Sequence, residues 1–524
     1  MLDIIVEHTD EYMASRPKAG RKGLGQFFTS KETARYMAGL FDIPSHGVIR
    51  VLDPGAGSGI LSAALIERLE RQAVPDLKVD LTCFEANRDV LPLLRANLDL
   101  VRADSRLALS VRVIDANYVL SQSNDFSKEP SASPGPAKYD MVIANPPYLK
   151  LSKDAPEAVS MRSVCHGPPN MYFLFATMSL FNLRDEGEMV YLMPHSWTSG
   201  AYFSSFRDYV LSRGRLTDVH LFESGDKVFD KEGVLQETMI VKMRKTPTTP
   251  RAIKVSSSVG PSDLGQKKSL SVPYGVVVSG KDNYVYLART REEIDVVKTV
   301  ASIGKPLPSI GLRMKTGLTV DSRSSESLGN SIVDHAVPLF HAQHIKDGQV
   351  VFPIGLENEY IIGGSKGTLQ LNRNYLFVKR FASKEEPRRL RCGVYLARLF
   401  PGHDKISTEN KINFIDTMDG SGMSEELVHG LYVILNSSLY DAYYRILNGT
   451  TQVNATEMNS VPVPARHDIE LLGREMMGAN DYSTGFCDQL LGELLGGLAG
   501  WRKARAPIPR SARRGEVCRR LASD

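Results

Sequence analysis

The sequence predicts an α/β fold: a doubly wound, Rossmann-like domain followed by a mixed α+β domain. Three observations carry this. A strand, a glycine-rich turn and a helix follow one another over residues 48–66. Apolar runs at 48–53, 79–84, 109–114 and 139–144 each end at a polar side chain, as parallel strands of an open sheet do. Past residue 250 the texture changes to short alternating stretches such as 274–279 and 349–353, separated by Gly and Asn. At 524 residues the chain is too long for one domain, and two or three are expected.

The first strand, 48–53, ends at Asp53 and runs into Pro54-Gly55-Ala56-Gly57-Ser58-Gly59, after which 60–66 has helical spacing. Glycines let the backbone approach a ligand closely, and the helix N-terminus presents free N–H groups. The spacing is neither the dinucleotide fingerprint nor a Walker loop, so phosphate binding is not its favoured use. The second strand ends at Glu85, placed to hold two ribose hydroxyls of a nucleoside. The third ends at Asp115, able to accept from an adenine amino group. A surface carboxylate is ordinarily only solvated, but polar residues at four equivalent strand ends exceed that expectation.

The fourth strand delivers Asn145-Pro146-Pro147-Tyr148. The Asn145 amide oxygen and the Pro146 carbonyl are two acceptors for one NH2 group, in a loop stiffened by proline. Tyr148 supplies a flat face for a planar ring. Alone, this tetrapeptide reads equally well as a rigid turn; the upstream glycine loop decides between the readings.

With these motifs in place, the sequence resembles the gamma-class type II N6-adenine-specific DNA methyltransferases of restriction-modification systems. Gly25-Gln26-Phe27-Phe28-Thr29-Ser30 looks like that family's most N-terminal motif and precedes the glycine loop, as gamma order requires. The segments 169–175, 187–194, 227–229 and 235–243 resemble its later motifs. The resemblance implies S-adenosyl-L-methionine as cofactor, held by Gln26, Phe27, Thr29, Asp53, Gly55, Ala56, Gly57, Glu85, Asp115, Ala116 and Asn145. It implies catalysis by Asn145, Pro146, Pro147 and Tyr148 on an adenine rotated out of double-stranded DNA. Extrusion costs a few kcal/mol. Stacking on Tyr148 and a second aromatic, for which Phe229 is the candidate and Phe222 a neighbour, returns on the order of 1–3 kcal/mol per base.

The expected organisation is an N-terminal extension at 1–20 and a catalytic domain at 21–245 with a Ser/Pro/Gly-rich insertion at about 121–137. A DNA target-recognition domain follows at 250–465, then a helical segment and basic tail at 466–524. Within the third region, 338–347, 429–439, 446–454 and 460–464 resemble recurrent segments of such domains. Arg445, Asn448, Thr450, Thr451 and Gln452 have side chains suited to phosphates and base edges, although each alone reads more readily as an ordinary loop residue. Lys379, Arg380, Lys384, Arg388, Arg389 and Arg391 form a cluster able to track a phosphate backbone, or a solvated face.

Charge alone excludes little: 64 basic and 60 acidic side chains leave a net of +4, so DNA binding needs local patches. One such patch lies at 501–520. Cys83, Cys165, Cys392, Cys487 and Cys518 show no CxxC spacing, and no metal site is expected. His341 and His344 are a pair without a third ligand. With no signal peptide and no run of 18 apolar residues, the expectation is a soluble, cytoplasmic prokaryotic protein, associated with the nucleoid through its substrate. A cognate restriction endonuclease, where one exists, is expected to be a separate protein. Oligomeric state has no signature in the sequence. Competing readings are methylation of RNA adenine, methylation of a protein glutamine amide, and an inert DNA-binding subunit.

Overall fold

The computed structural model describes residues 1–15, 28–44, 47–72, 76–127, 138–223, 237–319, 328–329, 336–362, 369–382, 386–448 and 451–497. The chain forms two compact units, one of residues 1–289 with 445–460, the other of 290–444 with 461–524.

In the first unit, helices α1 (Leu2–Ala14) and α2 (Lys31–Gly39) precede strand β1 (Val48–Asp53) and helix α3 (Ile60–Arg71). Then come β2 (Lys78–Glu85), α4 (Leu91–Asp104), β3 (Ala108–Asp115), α5 (Tyr118–Phe126) and β4 (Tyr139–Ala144). The unit continues with α6 (Met171–Asn182), β5 (Leu183–Pro194), α7 (Ser204–Arg213), β6 (Arg215–Phe222) and β7 (Thr238–Arg244). It closes with β8 (Ala252–Ser258) and β9 (Lys268–Pro273). The strands lie in one sheet in the order β3-β2-β1-β4-β5-β7-β6-β8-β9. β1 through β5 are mutually parallel, whereas β7 runs antiparallel to β5 and β6.

The chain winds outward from β1 to β3 and then returns to lay β4 on the other side of β1. That reversal opens a crevice at the carboxyl ends of β1 and β4, where such sheets bind ligands. β4 is buried along Asp140 to Ala144, and α6 is buried nearly all round, so both read as continuous apolar runs.

Several expected boundaries move. The described part of the expected 1–20 extension, residues 1–15, is not separate: Leu2 and Ile5 of α1 are fully buried in the core shared by α2, α3 and the sheet, and the Leu2 N–H donates to Glu67 Oε1 at 2.9 Å. The insertion at 121–137 begins as helix, because the Asn117 side chain caps Leu120 N–H and buried Phe126 packs on Phe181 and Tyr209. Residues 128–137 lie outside the described ones. The Thr246-Pro-Thr-Thr-Pro250 stretch is a loop inside the first unit, since β8 pairs in parallel with β6 and extends the sheet. The unit therefore runs to 289, and it also takes 445–460.

The second unit is mixed α+β. One sheet orders the strands Leu312–Thr316, Ile412–Thr417, Tyr375–Lys379, Cys392–Tyr395, Gln349–Val350 and Ile345–Lys346. Its aromatic core includes Phe340, Phe377 and Tyr395. Helix Glu425–Asn436 crosses helix Arg466–Ala479 closely enough that only glycine fits at Gly430 and Gly473, where a Cβ would run into the partner's backbone carbonyl. The expected helical segment is present to 497; the basic tail at 501–520 lies outside the described residues.

Candidate active site at the sheet switch point

A cavity of about 400 Å³ opens at the carboxyl ends of β1 to β4. Pro54, Gly55 and Gly57 come from the β1 loop, Glu85 and Ala86 from β2, Ala116 from β3, and Asn145 and Pro147 from β4. Four chain-distant strand ends thus meet at one place, as the fold requires. Gly57 sits at φ +54°, and a Cβ there would touch the Phe28 ring at 3.4 Å; at Gly55 a Cβ would lie 3.3 Å from Phe175. The loop is glycine because both a left-handed backbone and a close aromatic wall demand it.

Glu85 is 7 % exposed, and its carboxylate accepts the N–H of Gly57 at 2.9 Å and of Asn87 at 2.7 Å. Burial raises its pKa, and those backbone bonds oppose the rise. A carboxylate has about four lone-pair sites, so acceptor capacity remains on the cavity side.

Asp53 is placed differently from its expected role. It is wholly buried and is absent from the cavity lining, lying behind the glycines, where Ser62 Oγ donates to its Oδ2 at 2.8 Å. Its Oδ1 is buried without a hydrogen-bond partner. Burial drives its pKa up to about 7, opposed by the Ser62 hydrogen bond and assisted by the Glu85 charge. Asp53 shapes the loop from beneath.

Asn145 links the first motif to the fourth strand: its Nδ2 donates to Thr29 Oγ1 at 3.1 Å. Thr29, 6 % exposed, follows Phe28 in the cavity wall and precedes the Ser30 cap of α2. The Tyr148 hydroxyl donates to Asn145 Oδ1 at 3.0 Å and to the Leu192 carbonyl at 3.2 Å. Its ring meets Tyr172 edge to face at 6.2 Å. The amide oxygen expected to receive the substrate amine thus faces a phenol in this state, and burial pushes that phenol's pKa upward. Pro146 is buried and Pro147 lines the cavity.

Of the remaining expected residues, Ala116 lines the cavity. Ala56 is buried, and its N–H donates to the Phe84 carbonyl at 2.9 Å. Asp115 sits outside the lining with Arg88 3.8 Å away. Gln26, Phe27, Phe229 and Thr450 lie outside the described residues. Arg445 is half-buried, Thr451 exposed and Gln452 half-buried. Asn448 is 1 % exposed, its amide donating to the Gln452 carbonyl at 3.1 Å and to Glu457, so it holds the turn together.

Phe28, Tyr118, Met171 and Phe175 also line the cavity; Phe28, Met171 and Phe175 fall in segments that resemble family motifs, but the sequence assigned none of the four a role. Met171 and Phe175 are one turn apart on α6, a spacing that marks a common face; nothing local says that this face meets a ligand. His341 and His344 are engaged internally: His344 Nε2 lies 2.8 Å from Glu359, and the His341 N–H donates to His344 Nδ1 at 2.8 Å. Among the described residues no group of three or more potential ligands gathers for a metal.

The switch-point cavity and sheet order define the class: the first unit is a doubly wound, Rossmann-like α/β domain with its crevice at the carboxyl ends of β1 and β4. Residues 87–229 match the family described as Eco57I restriction-modification methylase. The type II methyltransferase M.PstI of Providencia stuartii is 30% identical over 465 residues, covering 87% of this chain and 90% of that protein. M.BsuBI of Bacillus subtilis, also a type II methyltransferase, is 32% identical over 460 residues, covering 86% and 89%. The structure of a DrdV–DNA complex aligns with a TM-score of 0.49 at 13% identity, covering 90% of this chain and 59% of the other. The chain belongs to the type II restriction-modification DNA methyltransferases.

Proposed function

We propose that this protein transfers a methyl group from S-adenosyl-L-methionine to the exocyclic N6 of an adenine in double-stranded DNA, within a short recognition sequence. The observation that carries the reading is Asn145: its amide stands at the end of β4, on the wall of the cavity that Glu85 and the glycine loop form.

The cavity suits the cofactor by its own chemistry. The glycine cradle would be filled by any Cβ, and Glu85 offers buried acceptor capacity for vicinal hydroxyls. Gly55, Gly57 and Glu85 would hold the methionine and ribose parts, and Ala116 with Phe175 the flat base. When bound, the cofactor supplies a methyl group made electrophilic by a sulfonium.

Asn145 Oδ1 and the Pro146 carbonyl accept the two N–H bonds of the target amine and orient its lone pair toward the methyl carbon. The amine nitrogen would take the methyl group that the cofactor supplies when held there, and the proton it sheds would pass to solvent. Thr29 fixes the Asn145 amide through the 3.1 Å bond, which points Oδ1 away from itself. Tyr148 yields the Asn145 acceptor to the incoming base and offers its ring as a stacking face.

The test is expression in a host lacking adenine methylation, followed by single-molecule mapping of modified bases. N6-methyladenine confined to one short motif is the expected result. Unmodified adenine together with modified cytosine, RNA or protein amides would reject it.

A further inference from the structure

The second unit contains a cleft of about 660 Å³, lined by part of the basic cluster that the sequence offered as either a phosphate track or a solvated face. Lys346, Lys379, Arg388 and Arg391 face it against a single carboxylate, Asp347, and Tyr432 and Tyr482 form its aromatic wall. The cations come from three separate stretches of chain that the fold brings together.

Two of them are set against each other. Val378 pairs with Cys392 across antiparallel strands, and the Lys379 N–H donates to the Arg391 carbonyl at 2.9 Å, so the side chains of Lys379 and Arg391 are cross-strand neighbours. Like charges in that relation destabilise a sheet unless an anion lies between them. Burial and the Arg391 charge both lower the Lys379 pKa, and Glu386 opposes. Glu386 covers one end of the Arg391 guanidinium at 2.6 Å, while Arg391 Nε is buried with no hydrogen-bond partner.

Arg388 is pre-positioned. Its guanidinium donates to the Ser437 carbonyl at 3.2 Å and to Thr484 Oγ1 at 3.3 Å, which fixes the side chain at the cleft. Gly348, at φ +82°, lets the backbone pass directly against Tyr432 and Tyr482. Of the other members of the basic cluster, Arg389 is buried at 1 % exposure, Arg380 donates to the Asn410 carbonyl at 3.0 Å, and Lys384 lies outside the described residues.

We infer that this cleft grips one backbone phosphate of duplex DNA, with Lys379, Arg388 and Arg391 as the contacting cations and exposed Lys346 at its mouth. Guanidinium forks match the oxygens of a phosphodiester, and a pre-ordered cluster loses little entropy on engaging it. The inference rests on the reading that the protein acts on double-stranded DNA.

The test measures the affinity of the full chain for a duplex across a salt series, for wild type, Lys379→Gln, Arg391→Gln and the charge-preserving Lys379→Arg. Methyl transfer at saturating DNA is recorded in parallel. A phosphate held here predicts a slope of log Kd against log salt shallower by about 1 in both Gln variants. Specific and non-specific duplexes should weaken alike, Lys379→Arg should keep the wild-type slope, and the saturated rate should be unchanged. Wild-type slope and affinity in folded Gln variants would overturn the inference while leaving the catalytic reading intact. Failure of the wild type itself to bind duplex would remove both. Inorganic phosphate raising the melting temperature without any slope change would assign the cleft to a free anion, against the inference.

Discussion

Replacing Glu85 by Gln isolates the role given to the β2 carboxylate, because the two side chains have the same shape. Hydrogen bonds to a charged acceptor contribute about 1.5–3 kcal/mol and neutral ones about 0.5–1.5. Two ribose hydroxyls held by Glu85 therefore lose about 2–3 kcal/mol together, which is roughly a 30- to 150-fold rise in cofactor Kd at 25 °C. The free protein responds less. One of the N–H groups of Gly57 and Asn87 loses its acceptor, a penalty of about 1–3 kcal/mol. Against this, a charge leaves a buried site and no longer repels Asp53, which is itself buried beside it. The opposing effects predict a melting temperature within a few degrees of wild type. Calorimetric titration with S-adenosylmethionine and initial rates against cofactor concentration read the result: Kd and KM rise together, and kcat at saturation is retained. Undiminished cofactor affinity in the variant would refute the ribose assignment.

Asn145→Ala removes the acceptor aimed at the substrate amine and should lower kcat by a factor of about 10²–10³, as loss of one preorganised polar group does; cofactor affinity, measured by the same titration, should stay near wild type. Asp53 carries a pH signature. Its carboxyl rises from 3.8 to about 7 on folding, so the associated stability is complete below about pH 4 and is lost as pH rises toward about 7. Asp53→Asn should flatten that dependence in thermal melts between about pH 5 and 7, and a wild-type slope in the variant would contradict it. Gly473→Ala drives a methyl group into the Glu426 carbonyl and should cost about 3 kcal/mol or more, seen as a lower melting temperature; an unshifted transition would show that the two helices can separate cheaply.

Much of the site was legible because its chemistry is local. Asp53 through Gly59 states a strand, a left-handed turn and a helix within a dozen residues, and Asn145-Pro146-Pro147-Tyr148 places an amide at a strand end by sequence alone. Gly57 and Glu85 appear in the cavity as expected. Asp53 shows the limit: a carboxylate at a strand end is identical on paper whether it lines the crevice or lies behind the loop, and only the tertiary placement of Ser62, which donates to it, shows that it is buried.

The sequence by itself therefore determined the doubly wound sheet, the order of its strand ends and the meeting of Gly55, Gly57, Glu85, Ala116 and Asn145 at the switch point, since periodicity and turn chemistry act over a few neighbouring residues. Tertiary structure alone decided which apolar side chains wall the cavity, that α1 and 445–460 belong with the catalytic sheet, and that β8 and β9 extend it past the Pro-rich loop. It also decided that Lys379 and Arg391 share one cleft while Arg389 is buried. These outcomes depend on contacts between residues tens to hundreds of positions apart, where burial and register, rather than local propensity, set the lowest free energy.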